Sequence, residues 1–254
     1  FGKWNNTDEL ASYLVEITEA CLRTQDPDDG TDLVEKIMDK AGQKGTGLWT
    51  VVSALKLGAA VPTIYASLNA RVLSSMKSNR IRAEQILSNP IDCNLEFFKD
   101  SQFREYLTDA VVLSTISSYA QGIDILQLAS KEHNYDLNMQ SIAQIWKGGC
   151  IIRSTLLKRI QEAYNNNGSL ISLLLDPWFS AQINRRLKGL SLIVSNAALA
   201  GIPVPCLSST LDYLNSYRTS RLPQNLVQAM RDCFGSHGYE RLDKEGSFHT
   251  DWIS

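Results

Sequence analysis

The stretch Gln43-Lys44-Gly45-Thr46-Gly47-Leu48-Trp49-Thr50 gathers a cation, a hydroxyl and two glycines just ahead of an apolar helical run. Gly45 and Gly47 let the backbone take up positive φ and come close to a ligand. Lys44 supplies a point charge and Thr46 an oxygen that donates or accepts a hydrogen bond. The helix expected to begin near Trp49 turns unpaired N–H groups toward this loop. Those ingredients suit a phosphate. They also fit a helix–loop–helix turn with an incidental lysine, because Gly-Thr-Gly alone has little specificity. Three further cations carry the same ambiguity. Arg71 lies in an apolar helix beyond Pro62, and Arg153 lies in Gly148-Gly149-Cys150-Ile151-Ile152-Arg153-Ser154. Each is either an ion-pair partner or an anion ligand. Arg231 and His237 flank a turn at Gly235, where a surface histidine is the ordinary reading. No Gly-x-Gly-x-x-Gly follows a strand, and no nucleophile–base arrangement can be assembled. The residues by themselves support a helical domain with a candidate anion site.

The elements that must position these groups read almost entirely with helical period. Asn6 or Thr7 is the candidate cap of a helix whose face is Leu10, Leu14, Ile17 and Cys21. Thr31 can cap a short helix carrying Leu33, Val34, Ile37 and Met38. A helix over 49–57 ends at Gly58, and Pro62 opens the next. A short helix covers 81–87, Asn89-Pro90 breaks the pattern, and a long apolar helix runs over 101–130. Residues 142–164 are apolar with helical spacing, interrupted at Gly148-Gly149. Asp176-Pro177 starts a helix from 178 to about 200, closed by Gly201. Pro205 and Pro223 open two more. After Tyr239 the tail is polar but carries Phe248 and Trp252, aromatics that a free tail would not keep. No sustained alternation or hairpin turn signals a sheet, so the expected class is all-α. A weak internal repeat is present: Ala54-Leu55-Lys56-Leu57-Gly58 with Val61-Pro62 matches Ala197-Ala198-Leu199-Ala200-Gly201 with Val204-Pro205. Any helical hairpin of this loop length would look similar.

Composition narrows the classes further. The chain has 254 residues, 44% of them hydrophobic, and a net charge of −2. That balance gives no pull toward nucleic acid or an anionic membrane. No apolar run is long enough to span a bilayer, and no secretory signal is visible. The cysteines Cys21, Cys93, Cys150, Cys206 and Cys233 are odd in number and lack C-x-x-C spacing, which points to reduced thiols and a cytoplasmic setting. His133, His237 and His249 show no metal-ligand spacing. The chain opens on Phe1 rather than methionine, already approaching a helix, which suits a fragment or a processed product.

Several blocks together resemble one family, the decarboxylating 6-phosphogluconate dehydrogenases. They are Gly42 to Thr50, Ala70-Arg71-Val72-Leu73-Ser74-Ser75-Met76-Lys77, Ser118-Tyr119-Ala120-Gln121-Gly122 and Ile145-Trp146-Lys147-Gly148-Gly149-Cys150-Ile151-Ile152-Arg153-Ser154. Gly201-Ile202-Pro203-Val204-Pro205, the run from Gln228 to His237, and Phe248-His249-Thr250-Asp251-Trp252 follow in the family's order. The resemblance is to the C-terminal part of such an enzyme. It implies that the Rossmann domain binding NADP, and the helix with the catalytic lysine and glutamate, lie outside this chain, which alone would be inactive. It implies substrate-phosphate binding by Lys44, Thr46 and Arg71, completed by Arg231 and His237 from a partner subunit. It also implies a homodimer in which residues 1–238 form the helical body and 239–254 a tail docking on the partner. The implied reaction is the pentose phosphate pathway step, also used in gluconate utilization, that converts 6-phosphogluconate to ribulose 5-phosphate: oxidation at C3, loss of CO₂ and protonation of the enol. Leu48 stands where many relatives have lysine, altering local electrostatics, and Asp251 replaces a common asparagine. The alternative is a non-catalytic helical dimerisation or regulatory module of the same fold.

Overall fold

A computed structural model describes residues 1–87 and 96–253. Asn89-Pro90 and Cys93 lie outside the described residues. The chain divides into two compact units, Phe1–Asp212 and Tyr213–Ser254.

The first unit carries α1 (Tyr13–Arg23), α2 (Thr46–Leu57), α3 (Pro62–Ser75), α4 (Lys77–Ile86), α5 (Glu96–Lys99), α6 (Phe103–His133), α7 (Met139–Ile145), α8 (Leu156–Asn166) and α9 (Pro177–Leu199). α10 (Pro205–Tyr217) crosses the boundary between the units. The all-α expectation holds: among the described residues the only strands are two residues long.

α6 is the axis of the first unit. It has 31 residues, about 46 Å at 1.5 Å per residue. Ala110, Leu113, Ile116, Ser117 and Ala120 repeat at three- and four-residue spacing and are fully enclosed. α9 lies against it. Arg186 of α9, 9% exposed, donates to Asp109 at 2.6 Å and to Glu9 at 3.1 Å. Gly189 makes the approach feasible, because a Cβ there would sit 2.6 Å from Asp109 Oδ2. Burial pushes the Asp109 carboxyl up, and the hydrogen bond from Arg186 opposes that rise only in part. Removing either partner would strand a charge in the interior.

α3 is seated by an amide. The enclosed Gln121 side chain accepts from the backbone N–H of Thr63 at 3.1 Å and of Ile64 at 3.3 Å, and donates to Thr63 Oγ1 at 3.0 Å. Thr63 Oγ1 in turn meets Thr210 Oγ1 at 3.1 Å. A neutral side chain thus satisfies the orphan donors of α3's first turn.

The two halves of the sequence repeat build the same corner. Gly58 and Gly201 both sit at positive φ, +72° and +68°. Gly58 N–H donates to Leu55 O and Ala59 N–H to Ala54 O; Gly201 donates to Ala198 and Ile202 to Ala197 in the same pattern. This is a Schellman-type stop followed by proline at the start of the next helix.

Several local expectations fail for long-range reasons. α1 begins at Tyr13, not near Leu10. Its cap is Ser12, whose Oγ accepts from Val15 N–H at 3.2 Å, while Thr7 Oγ1 instead accepts from Leu10 N–H. Ser12 is bridged to Ser154, far along the chain, and that pairing sets the start. Thr31 caps no helix: Leu33–Lys36 is a 3-10 turn, and Lys36 clasps Asp26 at 2.7 Å and Asp29 at 2.6 Å across the preceding loop. α2 starts at Thr46, three residues ahead of expectation. The 142–164 run is two helices, α7 and α8, with Arg153 in the irregular segment between them.

In the second unit, α11 (Gln224–Gly235) is followed by β1 (Tyr239–Glu240) and β2 (Ser247–Phe248), an antiparallel pair with Tyr239 opposite Phe248. The tail after Tyr239 is therefore ordered onto its own helix rather than irregular.

Candidate functional site

The loop ahead of α2 is pinned to the start of α4 and to the last turn of α3. Asp39 binds Lys77 at 2.7 Å and Arg80 at 2.9 Å, and Arg80 also donates to the carbonyls of Asp39 and Ser74. Those hydrogen bonds, from Lys77 first and then Arg80, hold the Asp39 carboxyl down at about 2. Ala41 N–H donates to Ser74 Oγ at 3.0 Å. At the other end, a Cβ on Gly47 would meet Leu68 Cδ1 at 3.6 Å. Residues 41 and 47 thus each lie near α3, at Ser74 and Leu68, and Lys44 and Arg71 fall between those points in the sequence. Leu68, Arg71 and Ser74 share one helix face by their spacing. Lys44 and Arg71 are both exposed, and neither has an ion pair or side-chain hydrogen bond among the described residues.

Gly45 closes this loop at φ +98° as the cap residue of α2, and no side chain caps the helix. The first N–H groups of α2, with exposed Thr46 leading, thus face outward without a protein partner inside the helix. Two exposed cations, a hydroxyl and a helix N-terminus thus lie on adjoining segments, the kinds of group that an oxyanion site uses.

Beside it opens a mainly apolar cleft of about 960 Å³, whose walls include Thr46 and Trp49 of α2, Tyr119 of α6 and the 151–154 segment. Tyr119 Oη hydrogen-bonds Ile152 O and lies 2.9 Å from Ser154 Oγ; burial pushes its phenol up. Arg153 lies over the Tyr13 ring at 4.7 Å and pairs with Glu16 at 3.2 Å.

Arg231 and His237 stand on the second unit. Leu226, Val227, Met230 and Phe234 make an exposed apolar stripe along α11, and Arg231 flanks it, four residues after Val227 and three before Phe234. Its guanidinium donates to Gln228 Oε1 at 3.1 Å and makes no ion pair among the described residues. The His237 ring meets the Phe234 ring edge-on, centroids 6.0 Å apart. Gly235 makes room, since a Cβ there would lie 2.9 Å from His237 Nε2.

Sequence reading missed Asp232. It is fully enclosed and accepts four hydrogen bonds: Gly238 N–H at 2.9 Å and His249 Nδ1 at 2.9 Å on Oδ1, Thr250 N–H at 3.0 Å and Trp252 Nε1 at 2.8 Å on Oδ2. Burial is the largest influence and pushes the carboxyl up, but the donors, His249 foremost, together outweigh it and hold it well below the usual range. The same bond raises His249. Gln121 was missed as well. A glutamine in an apolar helix is locally silent, and its only signal is its place within an inward-facing row.

The described residues do not fit a dinucleotide. A pyrophosphate cradle needs a strand, a glycine-rich turn and a helix, and the two-residue strands here precede no helix. None of the described helices is long and apolar enough to cross a membrane.

The model of the 6-phosphogluconate dehydrogenase C-terminal domain matches residues 1–252. A decarboxylating 6-phosphogluconate dehydrogenase of Synechococcus elongatus is 50% identical over all of this chain and 54% of its own length. The NADP(+)-dependent decarboxylating enzyme of Bacillus subtilis is 47% identical over all of the chain and 54% of its own length. A Plasmodium falciparum 6-phosphogluconate dehydrogenase, solved in its apo form and in complexes with its cofactor NADP+ and its substrate 6-phosphogluconate, superposes with a TM-score of 0.90 at 43% identity, over 99% of this chain and 54% of that one. The chain spans about half the length of the curated relatives it matches. It belongs to the 6-phosphogluconate dehydrogenase family, as that family's C-terminal domain.

Proposed function

We propose that this chain is the substrate-binding and dimer-forming part of an NADP-dependent 6-phosphogluconate dehydrogenase, which oxidatively decarboxylates 6-phosphogluconate to ribulose 5-phosphate in the cytoplasm. The observation that carries this reading is that Lys44, ahead of the uncapped start of α2, and Arg71, on the helix tied to that loop by the Ala41–Ser74 bond, are two exposed cations with no protein counter-charge among the described residues. A sugar phosphate dianion supplies that charge. Thr46 adds a hydroxyl contact, and the N–H groups of α2 accommodate a remaining oxygen. Holding the phosphate at this remote end orients the sugar acid for chemistry at its other carbons. NADP is the family's oxidant and takes up the hydride when bound. This chain's described residues provide no cradle for it, so their task is to bind and orient.

Arg231 and His237 complete the phosphate site in the partner subunit of a homodimer, with residues 239–254 docking there and 1–238 forming the helical body. The exposed α11 stripe of Leu226, Val227, Met230 and Phe234, with Arg231 on its flank, supports an interface at this helix. Steady-state kinetics on the full-length protein carrying this chain test the assignment. Losing a charge-assisted fork contact corresponds to about 3 kcal/mol, so Arg71→Ala is expected to raise KM for 6-phosphogluconate about a hundredfold. An unchanged KM would reject the phosphate site.

A further inference from the structure

We propose that Asp232 is the positioning residue for the Arg231–His237 pair: by taking its donors from the C-terminal tail, it fixes where both side chains stand and leaves the arginine's charge free for substrate. The proposal rests on the phosphate reading above.

The geometry is confined to the second unit. Asp232 holds the turn after α11 twice, once through its backbone and once through its side chain. Ser236 N–H donates to Asp232 O at 2.8 Å, and Gly238 N–H donates to Asp232 Oδ1 at 2.9 Å. His237 lies between those two anchored amides, on a turn whose Ser236 and Gly238 both occupy positive φ, +49° and +71°. Such a turn keeps its shape only when its surroundings dictate it. The remaining donors, His249 Nδ1, Thr250 N–H and Trp252 Nε1, all come from the tail. Tyr239 seals the arrangement, with Oη 2.5 Å from Thr250 Oγ1 and its ring 6.0 Å from that of Trp252.

Only a carboxylate meets this demand. Each oxygen faces two donors, and an amide would turn an NH₂ toward one of those pairs. The occupancy also explains why Arg231, the adjacent residue, is not neutralised by Asp232. The lone pairs of the carboxylate are committed to the turn and the tail, and Arg231 contacts the uncharged Gln228 instead. The arginine therefore forms no direct ion pair with Asp232, and its guanidinium keeps donors for an incoming anion, at a position set by the helix turn that Asp232 anchors.

The test is steady-state kinetics on the full-length protein with Arg231→Ala, Asp232→Asn and Trp252→Phe, each assayed for folded fraction. Arg231→Ala and Asp232→Asn are each expected to raise KM for 6-phosphogluconate by about thirtyfold or more, while kcat per folded molecule stays within about threefold. The double variant should raise KM well short of the product of the two single effects, exceeding Arg231→Ala alone only by the share that runs through His237, since the larger part of both acts through Arg231. Trp252→Phe, which keeps an aromatic ring and removes one donor, should raise KM about threefold to fivefold. A purely structural role for Asp232 would instead lower the folded fraction and leave KM alone. If Arg231→Ala raises KM but Asp232→Asn and Trp252→Phe do not, the positioning role is overturned and the phosphate site stands. If Asp232→Asn does not fold, Trp252→Phe decides, and an unmoved KM overturns the proposal. If Arg231→Ala leaves KM unmoved, the substrate assignment falls and the proposal with it.

Discussion

The two halves of the candidate phosphate site are held in opposite ways. In the first unit the cations are unclaimed and the frame behind Arg71 is neutral at its root: Gln121, Thr63 and Thr210 seat α3 without any charged group. The loop bearing Lys44 is tied down by the ionised Asp39, whose carboxyl the hydrogen bonds from Lys77 and Arg80 hold down at about 2. In the second unit the organising group is itself an enclosed charge, Asp232, and one of its donors is a histidine. A neutral frame gives up strength for indifference to protons. An ionic one grips harder and inherits the titration of its partners.

The strongest way to break the contrast is to damage the neutral frame. Gln121→Leu leaves the N–H groups of Thr63 and Ile64 enclosed without acceptors, so a loss of about 2–3 kcal/mol is expected in denaturant unfolding. KM for 6-phosphogluconate should rise with it, since α3 carries Arg71, whereas hydrogen-exchange protection of Thr250 in the second unit should hold its native level. An undiminished stability would show that α3 is seated by packing alone.

A smaller effect is expected at the corner joining α2 to α3. Gly58 sits at φ +72° with nothing within 4 Å of a built Cβ. Gly58→Ala therefore meets no clash and incurs only the left-handed backbone penalty, about 1 kcal/mol. Calorimetry should show a fall in Tm of about 2–4 °C, and the same change at Gly201 should match it if the two corners are equivalent.

The smallest effect is one of pH. His249 is raised by its bond to Asp232, so its contribution to the tail is complete below the ordinary imidazole value of 6.5 and fades as pH climbs through the raised folded value. Asp232 is depressed, so its share is present above the ordinary carboxylate value of 3.8 and is lost only as pH falls through the lower folded value. Once the intrinsic pH dependence of exchange is divided out, protection at Thr250 should weaken on the alkaline side, while protection of α3 should not change. Equal behaviour of the two segments would erase the distinction.

What could be read from residues alone follows the range of the forces involved. The corners at Gly58 and Gly201 were legible because a left-handed glycine and a following proline act within a few residues. Lys44, Thr46 and Arg71 could be named from the family's motifs, but the Ala41–Ser74 bond that ties the Lys44 loop to the helix of Arg71 is announced by no local pattern. The start of α1 was misplaced because Ser12 answers to Ser154. Asp232 was passed over because an acid between an arginine and a cysteine on an amphipathic helix looks like surface. Its enclosure comes from residues 249–252, whose docking the sequence hinted at through Trp252 and Phe248 without saying onto what. Arg153 stayed open between two roles until Tyr13 and Glu16 were found against it.

The twin corners have a consequence for how such a chain drifts. Each is written almost wholly in main-chain bonds, one glycine and one proline, so the outward residues of the flanking helices are released from maintaining the bend. The helix after one corner carries the exposed Arg71 and the helix before the other the enclosed Arg186, and neither spoils the joint. Likeness between two such corners would survive longest in their joints, and a search weighted toward side chains would lose it long before the backbone did.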